Sequence, residues 1–150
     1  MKRYVFKLEP VLKLRKLKEE NCRTELGQLI SHLGKIEKQI EHDKNEIENF
    51  FNVQNISLST GVKGSQIQSF PHLVAAKEKN IQLLARDKTE QEKLIEAKKK
   101  ELAILRGELK VIENLKDKDY EAYRKAFNKE QDQKIEEQTQ NWLQFKDRNN

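Results

Sequence analysis

Between Leu8 and Phe50 a seam recurs every three or four positions: Leu8, Leu12, Arg15, Glu19, Cys22, Leu26, Leu29, Leu33, Ile36, Ile40, Asp43, Ile47 and Phe50. Ten of these thirteen positions are apolar, and most of what lies between them is Lys, Glu, Gln, Asn or Ser. A mean spacing of about 3.5 residues marks a helix that buries a narrow stripe against another helix. Such a helix needs a partner, because its own backbone bonds do not offset the entropy of ordering it.

A second seam supplies that partner. It runs through Val74, Lys77, Ile81, Leu84, Lys88, Gln91, Ile95, Lys98, Leu102, Leu105, Leu109 and Ile112, with four polar members among twelve. Its register continues through Lys116 and Asp119 to Tyr123 and Ala126. Pro10, with a fixed φ and no N–H, fits a first helical turn. The first helix is therefore expected over about 9–51, a length of roughly 65 Å. Residues 52–69 lose their acidic residues and become rich in Ser, Thr, Asn and Gly, which predicts a loop. Ser69 before Phe70 and Pro71 reads as an N-cap, so a second helix is expected over about 70–146.

The expected fold is all-α: a single domain over 1–150, with two long helices in an antiparallel coiled-coil hairpin. Partner positions sum to roughly 124 in such a hairpin, so that Leu12 meets Ile112 and Leu29 meets Ile95. The second helix then overhangs the first by about 30 residues, roughly 45 Å. The overhang holds Tyr120, Tyr123, Phe127, Ile135, Trp142, Leu143 and Phe145 with no expected internal cover, and exposed aromatics on an unpaired helix imply a partner or a frayed tail. Leu83, Ile104 and Val111, with Leu94 and Leu115 beside them, form a stripe off the seam. It reads either as a widened seam or as a lateral docking face.

Composition narrows the class. Charged residues make up 37% of the 150-residue chain and hydrophobic ones 35%, which suits long helices with a thin seam better than a globule with a wide core. So charged a chain is otherwise a candidate for disorder, but sustained heptads oppose that reading. The net charge is +5, and residues 2–18 alone carry +6: Lys2, Arg3, Lys7, Lys13, Arg15, Lys16 and Lys18 stand against Glu9. The basic end suits phosphates, a membrane surface or an acidic protein face, or is simply a solvated helix start. The single cysteine, Cys22, lies on the seam and reads as a small buried hydrophobe. No apolar run approaches the ~20 residues needed to span a bilayer, and no apolar stretch of a secretory signal follows the basic start.

Catalytic chemistry is not signalled. His32, His42 and His72 do not share a helix face at ligand spacing, and no Cys/His pair is spaced for zinc. The carboxylates sit among lysines on solvated faces, and a two-helix hairpin offers no concave pocket. The chain is read as a non-enzymatic binding protein without metal or cofactor.

Three stretches then resemble the flagellar FliJ family of the bacterial type III export apparatus. The first is Tyr4-Val-Phe-Lys-Leu-Glu-Pro-Val-Leu-Lys-Leu-Arg-Lys, an aromatic lead-in before a Leu-x-x-Arg helix start. The second is Ile112-Glu-Asn-Leu-Lys-Asp-Lys-Asp-Tyr-Glu-Ala-Tyr. The third is Asn128-Lys-Glu-Gln-Asp-Gln-Lys-Ile-Glu-Glu, which departs from the family's Asp-Glu pair with Glu136-Glu137. The resemblance implies a stalk-like coiled coil associated with the hexameric export ATPase, the membrane export-gate protein and export chaperones, in the cytoplasm and peripheral to the inner membrane. By that analogy the end carrying both termini meets the ATPase, with Arg3, Tyr4, Phe6, Lys13, Tyr120, Tyr123, Phe127, Ile135 and Trp142 as candidates. The loop end would meet the gate through Phe51, Phe70 and Leu73, with the seam residues Phe50, Ile47, Ile40 and Leu84 behind them. No small-molecule substrate and no nucleic acid is expected. Two rival readings are a generic dimerising scaffold and a nucleic-acid or membrane-surface binder acting through residues 2–18.

Overall fold

The structure is a computed structural model that describes residues 2–61, 64 and 68–149. Two helices, α1 (Glu9–Thr60) and α2 (Phe70–Arg148), pack against each other as an all-α helical hairpin. α1 begins where Leu12 donates its N–H to the Leu8 carbonyl at 2.9 Å, and Glu9 places an acid against the positive end of the helix. α2 begins with the Leu73 N–H on the Ser69 carbonyl at 3.1 Å, as the capping pattern at Ser69-Phe70-Pro71 predicts.

One boundary differs from the sequence reading. Residues 52–60, expected as loop, are the last turns of α1. Their hydroxyl groups bond within the helix: Ser59 and Thr60 both donate to the Ile56 carbonyl, at 2.7 and 2.9 Å. Loop composition is misleading here, because these side chains bond back to the carbonyl three or four residues earlier. The seam also continues, with Gln54 and Ser57 half-buried in step with Phe50. α1 ends where Gly61 takes φ +77°, a left-handed conformation open to glycine and closed to most side chains. Residues 62, 63 and 65–67 of the expected loop lie outside the described residues.

The chain divides into two compact units, Met1–Glu19 with Ile104–Asn150, and Glu20–Ala103. In the first, Phe6, Leu12 and Ile112 form a buried cluster against Tyr4 and Leu109, so Leu12 does meet Ile112. Leu8, a seam position, stays exposed, because Phe6 from the lead-in fills the site beside Leu12. Three polar pairs flank the cluster. Glu9 accepts from Lys116 at 2.9 Å, the Arg15 guanidinium donates to the Glu108 carbonyl at 2.8 Å, and Glu19 pairs with Arg106 at 3.2 Å. From Glu9 to Glu19 is ten residues forward, and from Lys116 to Arg106 ten back, so the helices are antiparallel at constant register.

In the second unit Cys22, Ile36, Ile95 and Leu102 are buried, and Leu26, Leu29, Leu33, Ile40, Ile47, Ile81 and Leu84 are half-buried. Lys98 occupies a seam position but carries its ammonium out to Glu25 at 2.6 Å and Glu101 at 3.0 Å, which raises its pKa. Glu37 meets Lys88 and Glu46 meets Lys77. Glu25 to Glu46 is twenty-one residues and Lys98 to Lys77 is twenty-one, so this unit too keeps one antiparallel register. Gln91 is the seam's unsolved polar position: its Oε1 is buried with no hydrogen-bond partner among the described residues.

Candidate functional site

The lead-in folds back along α2 and closes over its tyrosines. The Tyr4 ring meets Tyr120 edge-on at 5.1 Å and Tyr123 at 5.2 Å, and Tyr123 stacks on Phe127 at 6.2 Å. The Tyr4 hydroxyl donates to Asp119 Oδ2 at 3.2 Å and lies 3.3 Å from the Lys116 carbonyl, while the Tyr123 hydroxyl donates to the Lys2 carbonyl at 3.1 Å. Burial, followed by the Asp119 carboxylate, pushes the Tyr4 pKa up. Lys116 sits 6.0 Å from the centre of the Phe6 ring and bonds Glu9, whose pKa its ammonium lowers.

This corrects the expectation of no internal cover for Tyr120, Tyr123 and Phe127. Tyr4, Tyr123 and Phe127 form one intramolecular stack with Tyr120 at its edge, and Tyr4 also packs against the Phe6–Leu12–Ile112 cluster. Phe127 rather than Ala126 continues the covered face. The sequence carried no signal of this, because a non-helical lead-in has no period to read. Of the other candidates at this end, Arg3, Lys13, Ile135 and Trp142 are exposed, the last at 60%. Leu143 and Phe145 are exposed beside Trp142, and Lys146 lies over the Trp142 ring at 5.4 Å.

In the second unit, Phe51 and Leu73 are exposed, while Phe70, Phe50, Ile47, Ile40 and Leu84 are half-buried. The split follows the seam, which holds the half-buried residues on α1 and Leu84 on α2. Val53, Ile56 and Leu58 are also exposed apolar residues and were hidden in the stretch read as loop. The signal that would have found them is the heptad step from Phe50 to Gln54 and Ser57.

A polar node lies at Asp43, whose side chain is 0% exposed. It accepts from Gln39 at 3.0 Å, Asn80 at 2.5 Å and Lys77 at 3.4 Å, and Lys77 also pairs with Glu46. Burial drives the Asp43 pKa up, but Asn80, Gln39 and the Lys77 ammonium together outweigh it and hold the carboxyl below its usual range. His42, Asp43 and Glu46 bring three possible ligand atoms within 4.8 Å of one another. A cation already serves this group, since the Lys77 ammonium contacts both carboxylates. The geometry is that of a structural ion network inside a seam.

The parts assemble into a helical hairpin with apolar and aromatic side chains displayed on its surface, which is the build of a protein that works by contact. The chain belongs to the flagellar FliJ protein family, whose family model matches residues 4–144. It is thereby a component of the flagellar export apparatus. No curated protein and no solved structure matches the chain. Among the described residues no helix is long and apolar enough to cross a membrane.

Proposed function

We propose that this chain is a non-enzymatic, stalk-like adaptor that binds the hexameric export ATPase and links it to the membrane export-gate protein and to export chaperones, at the cytoplasmic face of the inner membrane. The observation that carries the ATPase contact is the apolar surface of α2 beyond the tyrosine stack, where Ile135, Trp142, Leu143 and Phe145 stand in solvent, Phe145 at 67%. Large exposed aromatics are costly in water and are the anchors by which helices bind. Family membership supports a partner within the flagellar export apparatus. The reading also fits the lead-in, where exposed Arg3 adds charge beside the stack. The rival nucleic-acid reading loses its stacking groups, because Tyr4 and Phe6 are engaged internally.

The test is co-purification with the hexameric export ATPase followed by its hydrolysis assay. The chain should raise the rate at amounts below one per ATPase subunit, and Ile135→Ala with Trp142→Ala should remove most of that rise while helicity stays unchanged. An ATPase whose rate ignores the chain overturns the proposal.

A further inference from the structure

With the seam as heptad positions a and d, positions c and g lie together on one flank of each helix. In an antiparallel pair these flanks adjoin. In the first unit that flank is apolar in its middle. Val11 at g and Leu14 at c come from α1, and Ile104 and Val111 at c with Leu115 at g come from α2. All five are exposed, Ile104 at 64% and Val111 at 57%. The seam residues Leu12 and Ile112 are already buried against each other, so this stripe is not a wider core. From Ile104 to Leu115 it spans about 17 Å, three helical turns.

The ends of the stripe are basic. Lys18, at g on α1, neighbours the Glu19–Arg106 pair and so lies at the Ile104 end. Lys118 and Lys125, both at c on α2, follow Leu115 at the other end. None of the three lysines is in an ion pair among the described residues. One exposed acid, Glu108, interrupts the row. The charge pattern selects the occupant. Two copies of this chain laid stripe to stripe in antiparallel fashion would set Lys18 of one against Lys118 and Lys125 of the other. A lipid-binding face carries Trp, Phe and Leu; here three of the five apolar residues are Val or Ile and none is aromatic.

We propose that this flank is a docking groove for an acidic amphipathic helix of another protein, with about three turns of aliphatic residues seated on Val11, Leu14, Ile104, Val111 and Leu115 and carboxylates at both its ends. The helix adds a third strand to the pair, and the lysines fix its position by charge. The site is separate from Ile135 and Trp142, so it stands whether or not the ATPase contact does.

The probe is a synthetic helix of about three heptads with Leu at a and d and Glu at e and g, beside a twin carrying Lys at e and g. The full chain should bind the Glu peptide and not the Lys twin. Leu14→Asp with Val111→Asp should weaken binding by at least about tenfold, with unchanged circular dichroism. Reversing Lys18, Lys118 and Lys125 to Glu should exchange the preference for the Lys twin. Equal binding of both peptides, binding that ignores the aspartates, or no binding overturns the proposal. So does capture of the same residues by phosphatidylglycerol vesicles, which would make the flank a lipid site. Dimerisation abolished by the two aspartates would make it a self-association face and likewise overturn it.

Discussion

At Asp43 a charge sits without solvent access in a seam built mainly of leucine and isoleucine. Burial alone would neutralise a carboxyl. Three donors from both helices keep it ionised, and they in turn depend on it. Asp43→Ala leaves Asn80 and Gln39 without this acceptor and should cost about 1–3 kcal/mol of stability, measured by urea unfolding. The sign of its pH dependence follows from the lowered pKa. The unfolded chain takes up the proton first as pH falls, so the stabilisation is complete above the ordinary carboxylate value of 3.8 and is lost as pH falls through the lower folded value. Asp43→Asn should flatten the acid limb of the stability curve below that value, and an unaltered limb would place the acid sensitivity elsewhere. Glu19 is likewise a buried acid of the seam, with Arg106 at 3.2 Å.

At the scale of elements, the extension of α1 to Thr60 changes where function can lie. Phe51, Val53 and Ile56 stand on a formed helix, so their apolar side chains project from fixed positions. The proposed gate contact is accordingly tested by Phe51→Ala, Phe70→Ala and Leu73→Ala together, which should abolish binding to the export-gate protein with helicity kept; binding that survives would refute it. The helices and their register were legible in the sequence, because the 3.5-residue period sets the facing stripes and the turn between them sets the register, and Leu12 meets Ile112 as this requires. Two features were not. Ser59 and Thr60 read as loop, since composition does not reveal which carbonyl a hydroxyl will bond. The Tyr4 stack was invisible because contacts between residues more than a hundred apart, one of them outside any helix, leave no periodic trace.

At the scale of the whole molecule, the charged seam positions find complements inside one chain, Gln91 alone among the polar ones leaving a buried atom without a partner among the described residues: Arg15 on the Glu108 carbonyl, Glu19 with Arg106, Asp43 with Lys77 and Asn80, Lys98 with Glu25. A dimerising scaffold would have to recreate each pair between chains. The isolated protein should therefore sediment as a 17.8 kDa monomer across concentration, and a concentration-dependent dimer would revive the scaffold reading.

The Asp43 node also limits how the gene can lengthen or shorten. Slide one helix seven residues along the other and Asp43 faces Leu84 and Asp87, or Phe70 and Leu73, in place of Lys77 and Asn80. Stripping a buried charge of its partner costs about 3–5 kcal/mol, more than a single thin seam readily absorbs. An insertion or deletion in one helix between this node and the neighbouring Glu37–Lys88 pair is therefore tolerated only with an equal one in the other helix, in whole heptads. Homologues that differ in length there should carry their changes as matched pairs.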